Sequence, residues 1–144
     1  MLICGCDFPD DLHYLAEHQV WLRRHEDGTG TVGITRMGIV QAGEIYMCRP
    51  KPPGSPVQQG KGIAVVELAK SIVSVKSPAS GTVVAANPRL ADQPELVHAD
   101  PYGEGWLARL QLNAWQAEAA QLVHGAQVVP VMRHYARLNR LESA

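Results

Sequence analysis

No stretch of the 144 residues stays apolar for long enough to span a bilayer. The opening run Met1-Leu2-Ile3-Cys4-Gly5-Cys6 is also far shorter than the hydrophobic region of a signal peptide. Nothing before Cys4 supplies the run that a lipoprotein signal needs, so a cytoplasmic protein is expected. An excess of either charge is missing too: the formal net charge of -1 gives no general pull towards nucleic acid or a membrane surface, and neither is expected as a partner. Cysteine is scarce. Three cysteines cannot all pair within one chain, and a reducing compartment keeps them as thiols. Cys4-x-Cys6 lacks the spacing of a common structural zinc site and has no second pair, so no metal is expected. No catalytic constellation stands out, and no internal repeat shows as sequence identity.

What is present suits one globular domain. The hydrophobic fraction of 46% and charged fraction of 19% are ordinary for a folded chain with a real core. Tyr14 to Trp21 alternates loosely and predicts an opening strand. The charged turn Arg23 to Gly30 leads back into a strand over Thr31 to Thr35. Arg36 to Ala42 predicts a short helix stopped by Gly43. Glu44 to Cys48 reads as a strand, broken by a stiff proline-rich surface loop from Arg49 to Pro56. Gly81 to Ala86 and Trp106 to Leu112 read as strands, joined by an irregular connection with one or two helical turns. From Asn113 the period changes. Asn113 can cap a helix over Ala114 to His124 ended by Gly125, and Pro130 suits the first turn of a second helix reaching Leu141. Ala117, Ala120 and Leu122, then Val131, Tyr135, Leu138 and Leu141, form apolar stripes that read as packing surfaces.

The centre of the chain is the stretch Gly62 to Gly81, where Lys70 separates two β-favouring runs. A two-residue turn at Ala69-Lys70 sets Leu68 opposite Ser71, Val66 opposite Val73 and Ala64 opposite Val75, a mostly apolar face that holds the register. Lys70 is thereby pushed out at the tip. A lysine at such a turn is ordinarily a solvated charge, and Ala-Lys is not a favoured primed-turn pair. Local chemistry leaves its role open.

Glu67-x-x-Lys70, Ser77-Pro78-x-Ser-Gly81, Asn87-x-x-Leu90 and the run Pro94 to Trp106, ending Asp-Pro-Tyr-Gly-Glu-Gly-Trp, resemble the H protein of the glycine cleavage system. Val32-Gly-Ile-Thr35 and Ala42-Gly-Glu-Ile45 fit in the same order, so the resemblance runs from about Pro9 to about Leu112. It implies a mainly β, barrel-sandwich hybrid fold of the lipoyl and biotinyl carriers, with short helices and a C-terminal helical extension. Residues 1–112 would form the carrier domain and 113–144 an extension of it. It also implies a non-enzymatic carrier in which Lys70 holds lipoic acid in amide linkage and Glu67 helps a lipoylating enzyme recognise the hairpin. Biotin carriers place methionines beside the lysine, whereas Ala69 and Ser71 stand here. Gly81 is expected to serve backbone shape, and Asp100 to Trp106 to shape a turn and pack aromatic rings.

The departures from the family pattern bear on cargo. H proteins usually read Ser-His-Glu-Trp on the opening strand and carry an acid four positions after the lysine. Those groups partner the ammonium of a methylamine-loaded arm. This chain reads Glu17-His18-Gln19-Val20-Trp21 and has Ser74. An unpaired buried ammonium is costly, so the change weakens a methylamine cargo. Together with the Glu-Leu-Ala-Lys-Ser variant and the thiols Cys4 and Cys6, it resembles the lipoate-binding proteins of bacterial sulfur oxidation. That resemblance implies sulfur-bound cargo exchanged with a heterodisulfide-reductase-like complex. The alternative is a glycine-cleavage carrier using Glu17 and serving the glycine cleavage enzymes. A reading of another class is a thiol-based redox or interaction protein acting through Cys4 and Cys6. Glu17, Ser74, Cys4 and Cys6 are thus the candidate cargo or partner residues. Cys48 reads as a small buried residue.

Overall fold

The structure is a computed structural model and describes residues 1–141. Two short strands open it, β1 (Leu2–Ile3) and β2 (Cys6–Asp7), joined through Cys4 and Gly5 at φ 52° and 80°. Two successive positive φ values make the tight turn whose twist matches paired strands, and glycine is at ease in it. Then follow β3 (His13–Leu15), β4 (Val20–Arg24), β5 (Thr29–Ile34), helix α1 (Arg36–Ala42), β6 (Met47–Pro50) and β7 (Pro56–Val57). β8 (Gly62–Glu67), β9 (Ile72–Lys76), β10 (Gly81–Ala86), a 3-10 turn at Pro88–Ala91, α2 (Leu96–Ala99) and β11 (Ala108–Leu112) complete the sheets. The C-terminal part holds α3 (Trp115–Glu118), two 3-10 turns and α4 (Val128–Leu138).

The strands form a six-stranded sheet ordered β3-β4-β5-β11-β10-β7, a three-stranded sheet β6-β8-β9 and the β1-β2 hairpin. They do not close into one barrel. One core fills the space between the larger sheets, with Val20, Leu22, Val32, Ile34 and Leu110 meeting Cys48, Ala64, Val66 and Val75. Side chains alternate across a strand, so Trp21 leaves the opposite face of the six-stranded sheet. There it joins a second cluster with Phe8, Tyr14, Met37 and Met132. Gly33, opposite Trp21, leaves room for the indole: a Cβ there would lie 2.5 Å from the ring. The Trp21 indole N–H donates to the Pro101 carbonyl at 3.1 Å, and the Tyr102 hydroxyl donates to the Asp7 carbonyl at 2.6 Å. The Asp100 to Trp106 run is thereby fastened to this cluster.

The mainly β architecture, the hairpin over Arg23 to Gly30 and helix α1 agree with the expectations from sequence. Thr35 caps α1 by accepting from the Gly38 N–H at 3.0 Å, and Gly43 ends it. Other segments differ. Tyr14 to Trp21 is not one strand: a 3-10 turn at Ala16–His18 and Gln19 at φ 52° interrupt it. The strand expected over Glu44 to Cys48 lies at Met47–Pro50, on the outside of its sheet, where proline's missing N–H is tolerated. The helix expected over Ala114 to His124 is only α3 plus a 3-10 turn, with no side-chain cap from Asn113. It stops because Val123 exchanges both backbone hydrogen bonds with Tyr14, at 2.8 and 2.9 Å. α4 ends at Leu138, not Leu141. Arg140 takes the left-handed conformation at φ 58°, and the Leu141 N–H reaches back to the Ala136 carbonyl at 2.8 Å. α4 buries Val128, Met132 and Ala136, whereas Leu138 stays exposed. Residues 142–144 of the expected extension lie outside the described residues. No helix among the described residues is long and apolar enough to cross a membrane.

Histidines clasp the C-terminal part to the sheet. The His13 ring stacks on His124 at 4.1 Å and meets the edge of Trp115 at 4.8 Å. Burial, then His124 and Arg24, push the His13 pKa from 6.5 to about 4. The unfolded chain therefore binds more protons between these values, so stability is full above about pH 6.5 and falls as pH drops towards 4. Thermal midpoints across that range should decline in the wild type and decline less in His13→Phe. Equal slopes would remove His13 as the cause.

Candidate functional site

The carrier-like hairpin forms as its alternation predicts. Ala64 faces Val75, Val66 faces Val73, and the Leu68 N–H donates to the Ser71 carbonyl at 2.8 Å. Ala64, Val66 and Val75 are buried in the main core, which roots the hairpin. Ala69 and Lys70 are exposed at its tip. Positive φ among described non-glycine residues occurs only at Cys4, Gln19 and Arg140. The tip is therefore not a primed turn, as suits an Ala-Lys pair. Among the described residues no carboxylate pairs with the Lys70 ammonium. A long, solvated amine on a rigid root can be acylated by another protein.

A groove of about 310 Å³ lies beside the hairpin. Leu68, Val73 and Val66 form its hairpin side, while Gln41 of α1, Glu17 and Tyr135 of α4 face them. Ser74 also lines it, so the structure brings Glu17 and Ser74 to one cavity. Glu17 stands at the rim, its side chain 81% exposed and 3.9 Å from His18. Among the described residues it is the one carboxylate in the lining, and Lys76 lines the same groove. The formal charges cancel. An arm rooted at the tip thus has an apolar trough with polar but nearly neutral ends next to it.

Gln19, part of the departure from the family pattern, is buried and fully used. Its amide donates to the Ala16 carbonyl at 2.9 Å, and its carbonyl accepts from the Thr35 hydroxyl at 2.7 Å. Gln41 and Tyr135 were not among the sequence candidates. The Tyr135 hydroxyl donates to Gln41, whose own amide donates to Asn139 at 3.2 Å, so α4 is tied to α1 over the groove. The i, i+3, i+4 spacing of Gly38, Gln41 and Ala42 was the one signal that they share a face.

The other candidates lie elsewhere. Glu67 is exposed on the far face of β8, between Met47 and Ile72. Cys4 is half-buried, and Cys6 is buried in the second cluster. Neither lines the groove. Burial and the neighbouring Cys4 push the Cys6 thiol pKa up, partly offset by Arg36. Burial lifts Cys48 to about 12. Burial disfavours the thiolate form of both Cys6 and Cys48, whereas Cys4 is the more accessible of the N-terminal pair.

The model of the family described as "Glycine cleavage H-protein" matches residues 12–135. "Glycine cleavage system H protein 2" of Aquifex aeolicus is 43% identical over 131 residues, covering 91% of this chain and 81% of the relative. "Probable glycine cleavage system H protein 2" of Sulfurisphaera tokodaii is 33% identical over 142 residues, covering 97% of this chain and 95% of the relative. Among solved structures, a glycine cleavage system H protein from Mycobacterium marinum superposes with a TM-score of 0.73 at 29% identity. The match covers 92% of this chain and 99% of that one.

Proposed function

The chain belongs to the glycine cleavage H-protein family, non-enzymatic carriers of a covalent lipoate, and from that premise we propose that Lys70 is the attachment site and that the arm serves the glycine cleavage enzymes. The observation that carries this reading is an exposed lysine, without an ion pair among the described residues, at a core-rooted tip beside an apolar groove. The groove suits the group: Leu68, Val66 and Val73 can shelter a hydrocarbon chain, and Ser74 and Gln41 offer hydrogen bonds. Lipoate supplies a dithiolane whose sulfurs take and release the cargo. The protein's own residues present the arm, and tethering makes each transfer effectively intramolecular. Glu67, exposed three residues before Lys70, would meet a lipoylating enzyme that approaches the tip, and its exposure supports a part in recognition. Residues 113–144 read as an extension of the carrier domain, supported by the Tyr14–Val123 pairing and the His13 clasp.

Glu17 is the group that would face a cationic cargo. At 81% exposure its pairing contributes about 1 kcal/mol, or about fivefold in affinity. The test is glycine decarboxylase activity with the lipoylated protein as carrier. Turnover is expected, with a drop of about fivefold or less in Glu17→Gln. No turnover would overturn the glycine-cleavage assignment. A second reading, sulfur-bound cargo exchanged with a heterodisulfide-reductase-like complex, is favoured by one observation: among the described residues the groove offsets its single carboxylate, Glu17, with Lys76. The names of the relatives support the first reading. Exchange with such a complex in the absence of glycine decarboxylation would favour the second.

A further inference from the structure

The face of the six-stranded sheet that Trp21 shares carries a second concavity, of about 320 Å³, which the carrier reading does not use. Register places Thr31 of β5 directly between Arg23 of β4 and Arg109 of β11. Neighbouring strands lie about 4.8 Å apart, so the two arginine backbones are about 10 Å apart with their side chains flanking one threonine. His25 joins them, its Nε2 2.7 Å from the Thr31 hydroxyl oxygen. Trp106 and Ala85 supply the apolar part of the lining, and among the described residues no carboxylate lines it.

Two details make this a prepared site rather than scattered surface charge. Each guanidinium is held in place by neighbouring groups through Nε and one terminal nitrogen. Arg109 gives Nε to the Thr29 hydroxyl at 2.8 Å and Nη2 to Asp27 at 2.7 Å. Arg23 gives Nη1 to the Tyr102 carbonyl at 3.2 Å and has Asp11 at 3.8 Å from Nε. Among the described residues each arginine keeps a terminal nitrogen without a hydrogen bond, Nη1 of Arg109 and Nη2 of Arg23. The second detail is a bulge in β10, where Val84 is skipped and the small Ala85 stands opposite Arg109. Bulges redirect side chains at sites, and this one replaces a valine by an alanine in the wall.

We propose that this pocket binds a small organic anion, a phosphate or carboxylate joined to a flat or apolar body. The anionic group bridges Arg23, His25 and Arg109, and the body rests on Trp106. Bidentate guanidinium contacts suit both oxyanions, and the volume is that of a small-molecule site. The inference does not rest on lipoylation, so the full-length unmodified chain serves for its test.

The experiment is an NMR and tryptophan-fluorescence titration at low salt with inorganic phosphate, phenyl phosphate and benzoate, with phenol as a neutral control. Saturable binding of phenyl phosphate or benzoate, with shifts at His25 and Trp106, is expected, and the tighter of the two identifies the oxyanion. Arg23→Gln and Arg109→Gln should each weaken it at least about tenfold, as loss of one charge-assisted contact does. Ala85→Leu keeps every charge yet should occlude the pocket. Non-saturating shifts, equal binding of phenol, or affinity unchanged in folded variants would overturn the proposal.

Discussion

Lys70→Arg is expected to remove the lipoyl mass increment and to lower carrier turnover at least about a hundredfold, while the thermal midpoint should stay within about one degree. A tethered group gains a factor of about 10² to 10⁴ over a free one, so losing the tether forfeits that range. Arginine cannot replace the lysine chemically, because its guanidinium stays protonated and is not acylated as a deprotonated amine is. It can replace it structurally. Lys70 is exposed and forms no ion pair among the described residues, and such surface changes fall within about 0.5 kcal/mol. The check is intact mass after co-expression with a lipoylating system and added lipoate, for wild type, Lys70→Arg and Lys76→Arg. Lys76 lines the groove and is half-buried, so Lys76→Arg should keep the increment. An increment surviving in Lys70→Arg would move the attachment to another lysine and end the tip-presentation argument.

The hairpin was legible because its signal is local. Period-two alternation on both sides of Lys70 admits one register that buries Ala64, Val66 and Val75 together, and a one-residue slip would expose all three. Helix α1 was legible for a similar reason, with a capping threonine before it and a glycine after. What sequence did not show depends on distant partners. The helix expected after Asn113 is cut short by pairing between Val123 and Tyr14, and no local pattern announces a bond spanning so much chain. The stripe expected on α4 included Val131 and Leu138, but the cluster beneath it selects Val128, Met132 and Ala136 at i, i+4 and i+8. Gln19 is decided by tertiary context as well, since its left-handed backbone is held by Thr35. The groove follows the same division: Glu17 and Ser74 were named from departures in a pattern, whereas Gln41 and Tyr135 meet only once α4 folds back over α1.

Gly81→Ala is expected to be the most damaging small substitution near the hairpin, costing about 3 kcal/mol. Alanine normally stabilises a strand relative to glycine by about 0.5–1 kcal/mol, so the sign itself is the test. Gly81 sits between β11 and β7, paired with Leu112 on one side and Val57 on the other. A Cβ added there would lie 2.1 Å from the Gln111 carbonyl oxygen and 2.9 Å from its carbon. Both are backbone atoms of a paired strand, so no rotamer relieves the clash. Either β10 or β11 must shift, and the pairs Gly81–Leu112 and Thr82–Gln111 go with it. Overpacking costs about 1–3 kcal/mol and each lost hydrogen bond about 1 more. The displacement would also move Ser80, whose N–H donates to Glu118 of α3 at 2.7 Å and whose hydroxyl oxygen accepts from the Gln59 N–H at 2.9 Å. For a chain of this size the thermal midpoint should fall by about 6–12 °C. The Lys70 tip lies on a different sheet, so below the melting range the lipoyl increment should persist in Gly81→Ala. That pattern is the reverse of Lys70→Arg: stability lost with attachment kept. An unchanged or raised midpoint would mean that β10 and β11 separate at no cost, and the close approach of their backbones could not be what calls for glycine at position 81.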